Sequence, residues 1–234
     1  MKRHLKTALA AALGLLLLAP AAGVSQVRRP DEEFQYRWQL RNFMGNLAGL
    51  FLPNQGEGLL TFRSDKNGRL RSELTITSNT TKNGEYFRYG SEIDTRTLQP
   101  IRAWSAYSWR GETKSKSSPI EQDGVLDIAS GIYSIRLDPP TRSRRMEIWS
   151  DGKVYPVVVI PLGPETRKLG AGNASRKIAV NHYSIRGVDT PGRRKWKGKL
   201  DLWLARDEAA TPVEIVISRN LADVHMELKS LPAK

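Results

Sequence analysis

Few side chains in this sequence are equipped for covalent chemistry. Past the first thirty residues the histidines are His182 and His225, and the chain has no cysteine. Cysteine nucleophiles, thiolate zinc sites and iron–sulfur clusters are therefore excluded. A Ser-His-Asp triad would need one of those histidines as its base, and no Gly-x-Ser-x-Gly elbow accompanies either. Nor is there a Gly-rich phosphate loop or a His-Glu-x-x-His pair. No cofactor is expected. Carboxylates alone hydrolyse glycosides when two stand ~5 or ~9 Å apart. Glu73, Glu92, Asp94, Glu147 and Asp201 fall on predicted strands, Glu73 on the outward register. A carboxylate-dependent hydrolase thus stays open as a third reading with no motif behind it. His182 shares a register with Ile178 and Val180 and is expected to point inward. His225 lies on the polar register with Glu227.

Residues suited to binding are more numerous. Arg193-Arg194-Lys195-Trp196-Lys197-Gly198-Lys199 sets cations around a tryptophan after the Pro191-Gly192 turn. Tryptophan among cations suits an anionic headgroup surface, where the ring sits at the interface. The same run equally suits a hairpin tip with solvated charges. Arg142-Ser143-Arg144-Arg145 is a second basic loop ahead of a strand. Trp149 and Trp203 fall opposite the aliphatic register of their strands. They either stack on sugar rings or a partner from an exposed sheet face, or line a second core. Phe43, Leu47, Leu50 and Phe51 follow helical spacing, and Pro53 limits that helix. It is either a plug over an open sheet face or a mobile apolar lip at the mouth of a ligand cavity.

The elements that must position these residues are mostly strands. In Phe34 to Arg41 the residues Phe34, Tyr36, Trp38 and Leu40 alternate with Gln35, Arg37, Gln39 and Arg41. The same period of two recurs in Arg69 to Ser78, in Lys199 to Ala205, and around Val213-Ile215-Ile217 and Val224-Met226-Leu228. Turn chemistry punctuates it at Asp65-Lys66-Asn67-Gly68, Lys82-Asn83-Gly84, Asp123-Gly124, Asp138-Pro139-Pro140 and Asp151-Gly152. Lys114 to Ser118 reads as an exposed loop. These signals predict roughly ten to twelve strands and no sustained helix beyond the short one above. A sheet that long curls to cover its apolar face. The expected fold is mainly β: a strongly curved antiparallel sheet, open or half barrel, with one short helix.

Residues 1–25 read as a signal peptide and 26–234 as a single β-rich domain. Met1 to Lys6 is cationic, the block Leu15-Leu16-Leu17-Leu18 is apolar, and small residues follow from Ala19 to Ser25. The apolar run, about 16 residues, falls short of the ~20 that span a bilayer. Without cysteine there is no site for lipid attachment at the cleavage point. The expected location is the periplasm, reached by the Sec route. The formal net charge is +13 at pH 7, and removing Lys2, Arg3 and Lys6 leaves about +10, enough to draw anionic partners over a Debye length of ~10 Å. For an exported protein those partners are lipid or other anionic envelope components, not nucleic acid. No transmembrane segment is expected after cleavage.

The run Glu85-Tyr86-Phe87-Arg88-Tyr89-Gly90-Ser91-Glu92-Ile93-Asp94-Thr95-Arg96-Thr97-Leu98-Gln99-Pro100-Ile101-Arg102 resembles the aromatic then Asp-x-x-Thr-Leu-x-Pro-x-Arg stretch of the bacterial domain of unknown function 3108. Gly152-Lys153-Val154-Tyr155-Pro156-Val157-Val158-Val159 resembles that family's Gly-Lys-x-Tyr strand, and Lys197 to Asp207 with Val224 to Leu231 its closing hairpins. The resemblance spans about residues 32–231 and departs from the family over Phe43 to Gly56. It implies an exported envelope protein with a long curved sheet like the half-barrel of periplasmic lipoprotein carriers, and no catalytic residues. The leading expectation is non-enzymatic binding of an apolar or amphipathic envelope ligand in that sheet. The rival is an envelope scaffold that holds polysaccharide or a protein partner through Trp149 and Trp203.

Overall fold

Alternating side chains become a single continuous sheet in a computed structural model, which describes residues 31–41, 54–78, 84–109, 111–170, 175–219 and 222–231. The first six strands form a meander: β1 (Glu32–Arg41), β2 (Gln55–Ser64), β3 (Arg69–Ser78), β4 (Tyr86–Asp94), β5 (Pro100–Trp109) and β6 (Glu112–Pro119). A two-residue strand, β7 (Val125–Leu126), leads into the helix α1 (Ile128–Leu137). The chain then returns through β8 (Arg144–Ser150), β9 (Lys153–Leu169), β10 (Arg176–Gly187), β11 (Lys199–Ala205), β12 (Pro212–Arg219) and β13 (Ala222–Leu228). The strand order is β6-β5-β4-β3-β2-β1-β13-β12-β11-β10-β9-β8-β7, with β1 paired to β13. Every pair is antiparallel except β7 with β8.

Local chemistry sets the hairpins. Asp65 accepts the amides of Asn67 and Arg69 on its carboxylate, and Gly68 takes the positive φ of 76° that a side chain would resist. Asp94 does the same between β4 and β5, accepting from the amides of Arg96 and Thr97, and these two hydrogen bonds lead in holding its carboxyl below the usual value. The Asp-x-x-Thr-Leu-x-Pro motif is therefore a turn.

One sheet face is inward. Phe34, Tyr36, Leu60, Phe62, Leu74, Leu202, Ile215 and Met226 are all buried there. Trp38 lies across Gly56 and donates its indole N–H to the Thr77 carbonyl at 2.7 Å. A Cβ at Gly56 would stand 2.0 Å from that carbonyl and 2.5 Å from the indole nitrogen, so the ring's place depends on the glycine.

Helix α1 packs on this concave face against β3 and β4 on one side and β7 and β8 on the other. It begins at Asp127, whose buried carboxylate accepts the amides of Ala129 and Ser130 and the hydroxyls of Ser130 and, at 2.7 Å, Ser91 on β4. Burial pushes that carboxyl up, against the pull of these donors. Tyr133 packs against Phe62 with ring centroids 4.8 Å apart. At the far end Arg136, with 0% of its side chain exposed, forks onto the Glu32 carboxylate through two 2.9 Å bonds. It also donates to the carbonyls of Ala209 and Ala210 and lies over the rings of Phe34 and Phe62.

The mainly β, strongly curved, open sheet is as expected, and several details differ. The described helix is Ile128–Leu137, while the stretch predicted as helical, with Phe43, Leu47 and Phe51, lies outside the described residues, as do residues 1–25. Lys114 to Ser118 is not a loop: it is most of β6, an edge strand exposed along nearly its whole length. The strands number thirteen among the described residues, and one pair is parallel.

Candidate functional site

The two ends of the sheet curl toward each other without joining. Strand β5 packs against β7 and β8 through Ala103, Val125 and Trp149, a small apolar cluster of its own. Lys116 on β6 reaches across to the β8–β9 turn and donates to the Asp151 carbonyl at 3.2 Å. The Gly124 amide donates to the Gln99 side chain at 2.7 Å. No ladder connects β6 to β7, so side chains close this seam in place of a backbone ladder.

A cleft of about 380 Å³ opens at the seam, lined by Phe87, Tyr89, Ser105, Tyr107, Lys114, Ser115, Lys116 and Asp151. Register explains its two characters. Phe87 pairs with Tyr107 and Tyr89 with Ser105, so their side chains share the inner face. Tyr107 in turn pairs with Lys114, and Ser105 with Lys116, which places the two lysines on the same face at the edge. Phe87 stacks on Tyr107 and tilts against Trp109, with centroids 6.1 and 5.9 Å apart. Phe87 and Tyr89 also pack on the main core, so the apolar wall is continuous with the interior. Lys114 lies 6.0 Å from the Tyr107 ring and 3.0 Å from Glu112, and that neighbouring carboxylate is the main reason its ammonium is held charged beyond the ordinary lysine range. Sequence reasoning missed this cleft; the signal was Lys114 and Lys116 alternating with serine at a strand edge.

The residues singled out for anion binding are placed differently. Arg193 forks onto Glu147, and Lys195 pairs with Asp189 at 2.7 Å. Trp196 is folded down rather than displayed: it packs on the core, and a Cβ at Gly187 would lie 2.2 Å from its carbonyl. Arg194 and Lys197 are exposed and have no ion pair among the described residues. In the second basic loop Arg144 pairs with Asp138 at 2.6 Å.

Trp149 and Trp203 are not surface platforms. They are 3% and 5% exposed. Trp149 is covered where β5 meets β7 and β8, and Trp203 is sandwiched between the His182 ring at 4.1 Å and the Arg167 guanidinium at 4.3 Å. The second-core alternative is the one realised, and neither indole is open to a sugar or a partner.

His182 also departs from expectation. It pairs with Trp203 across β10 and β11, while its neighbour Tyr183 pairs with Leu202, so His182 is on the outer face. There Glu165 contacts its Nδ1 at 2.8 Å and Asp201 lies 3.5 Å from its Nε2. Asp201 is held by Lys199 at 2.5 Å, and Glu214 by Arg167 at 3.2 Å. Burial works to raise the Glu165 carboxyl, but hydrogen bonds from His182 and the Trp203 indole and the charge of Arg167 bring it below the usual value. Burial pushes the Glu214 carboxyl up and the His225 imidazole down. Each carboxylate here answers a cation or an indole, the arrangement of a structural network that covers Trp203. No group of three or more His, Cys, Asp or Glu among the described residues is placed to hold a metal ion.

Among the described residues no helix is long and apolar enough to cross a membrane. No family model matches the chain, and no curated protein does. Among solved structures it is similar to a β-barrel-like protein of domain of unknown function 1849 from Brucella abortus: 11% identity, TM-score 0.45, covering 86% of this chain and 97% of that one. LprF from Mycobacterium bovis overlaps 86% of this chain and 87% of its own at 13% identity and a TM-score of 0.22. Neither likeness is specific to the domain of unknown function 3108 or close enough to carry a role across.

Proposed function

We propose that this is an exported, periplasmic, non-enzymatic protein that holds an apolar or amphipathic envelope ligand at the inner face of its curved sheet. The observation that carries the reading is the seam cleft, where an aromatic wall continuous with the core meets solvent because the sheet ends short of closure. Small-molecule sites are concave and set apolar walls against placed polar groups; here the wall of Phe87, Tyr89 and Tyr107 faces a polar side made by Ser105, Lys114, Ser115, Lys116 and Asp151. The leader pattern of residues 1–25, the net charge of +13 and the sequence resemblance to the unknown-function 3108 family support an envelope location. Arg194, Lys197 and Arg142 serve as solvated charges that favour approach to anionic surfaces.

Native mass spectrometry and lipid extraction of protein purified from its own periplasm test the reading. A co-purified amphiphile is expected. Ser105, at the floor of the cleft, supplies the control: Ser105→Trp fills the space and is expected to remove the bound species while leaving the fold intact. Absence of any bound amphiphile, together with no uptake of a fluorescent fatty-acid probe by the purified protein, would overturn it.

A further inference from the structure

The lysines at the cleft edge narrow the ligand class. Resting on the binding role proposed above, we infer that the cleft takes a single-chain amphiphile with an anionic head, its chain along Phe87, Tyr89 and Tyr107 and its head between Lys114 and Lys116. Three observations converge. At about 380 Å³ the cleft is near the lower end of small-molecule sites, ~300–1,000 Å³, which suits one acyl chain better than two. The two lysines are two residues apart on β6, so both ammonium groups stand on the side of the strand that faces the aromatic wall. Their charges are also incompletely answered. Lys116 donates only to a neutral carbonyl, that of Asp151, and no carboxylate among the described residues pairs with it. Lys114 has one carboxylate partner, Glu112, itself well exposed on the same strand, and its other contact is the uncharged Tyr107 side chain.

The hydrogen bond from Lys116 to Asp151 crosses the seam directly beside the cleft. An anionic head is a stronger acceptor than a peptide carbonyl, since charge-assisted bonds are roughly twice as strong as neutral ones. Binding therefore moves Lys116 from the Asp151 carbonyl to the ligand and loosens the seam as the chain enters. The ligand's head selects, and its tail supplies most of the affinity.

The test compares heads on one tail. Dodecanoate, dodecanol and dodecyltrimethylammonium, each below its micellar concentration, are titrated into the full mature chain by displacement of a dansyl fatty-acid probe. Dodecanoate is expected to bind about tenfold tighter than dodecanol, and the ammonium compound weakest. Lys114→Gln/Lys116→Gln removes the preference while dodecanol affinity holds, and Arg194→Gln/Lys197→Gln leaves the preference intact. Equal affinity for all three heads in the unmodified protein would overturn the anionic-head inference and leave the binding role standing. Loss of the preference in the Arg194/Lys197 variant, but not the Lys114/Lys116 variant, would also overturn it, by moving the head to the basic turn. If no compound displaces the probe because none, the probe included, is bound, the binding role and the inference both fail.

Discussion

Arg136 tests what holds α1 on the concave face. Its guanidinium joins three parts of the chain that are distant in sequence: α1, the Glu32 carboxylate at the start of β1, and the Ala209 and Ala210 carbonyls before β12. Arg136→Met keeps the stem that lies over Phe34 and Phe62 and deletes the fork. Glu32, only 16% exposed at its side chain, then loses its cation. Removing one partner of a buried pair costs about 3–5 kcal/mol, a large share of the ~5–15 kcal/mol that holds a domain folded. At about 2–4 °C per kcal/mol for a chain of this size, Tm falls by roughly 6–20 °C.

Urea titration followed by tryptophan fluorescence measures the loss directly. Pairing the change with Glu32→Gln adds a cycle: the double variant is expected to be at least about 1 kcal/mol more stable than additivity predicts, because the orphaned carboxylate is gone. Dye binding to the newly accessible concave face should rise in Arg136→Met if α1 loosens. A loss under about 1 kcal/mol, or strict additivity with Glu32→Gln, would refute the view that this pair tethers α1.

Three further outcomes bear on the outer face and the basic turn. Trp203→Ala and Trp149→Ala are each expected to destabilise by about 3–5 kcal/mol in chemical unfolding, the cost of emptying a large buried site; near-neutral effects would return these indoles to the surface. For Glu165, a folded-state value below the ordinary 4.5 means that its contribution to stability is present above that pH and is lost as pH falls through the lower folded value. Glu165→Gln should accordingly flatten the acid limb of the stability–pH curve below about pH 4.5, and an unchanged limb would contradict the network described. Gly187→Ala places a Cβ against the Trp196 backbone, where no flexible side chain can yield. It should cost about 1–3 kcal/mol and shift Trp196 emission to the red, and a silent substitution would show the turn to be free of the sheet.

What was legible in the sequence follows from which residues have one wet face. Phe34 to Leu40 and Leu200 to Leu204 alternate because one side meets the core and the other meets water or charged chains, and their strands are where the alternation puts them. Helix α1 was hidden by the opposite condition. Eight of its ten residues are buried, so it has no polar stripe to generate a 3.6-residue period. Its one local signal was Asp127 with Ser130 at the third helical position, a capping box in which serine takes the place of the usual Glu or Gln. Strand β6 was hidden because both its faces are wet, leaving Glu112 to Pro119 with no apolar residue to alternate. His182 was misplaced, and Trp149 and Trp203 stayed open between exposed platform and second core, because burial on the outer face is made by Arg167, His182 and the approach of β5. None of these is a sequence neighbour that a register can count.

The misread strand also explains why the sheet stays open. Closing the barrel would pair β6 with β7, putting Lys114 and Lys116 on the interior face of a continuous wall. A lysine sealed in an apolar interior without a carboxylate must shed its proton or bring a partner, at a cost of several kcal/mol. The aromatic pair on β4 and β5, Phe87 and Tyr107, gains from closure only the burial of its remaining exposed surface, ~25 cal/mol per Å². For a few tens of Å² that gain is below the cost of enclosing even one lysine. Length works in the same direction, since β7 offers two residues against the eight of β6. The unclosed edge and the half-covered aromatic wall are thus one feature, set by lysines on an inward register and by the shortness of β7. Replacing both lysines with threonine, a short strand former without charge, rather than with glutamine, whose long amide is still costly to enclose without partners, is the change that should draw β6 onto its neighbour and shut the cleft. Faster amide exchange on β6 than on β5 in the natural chain, equalised in that variant, is the measurement that decides it.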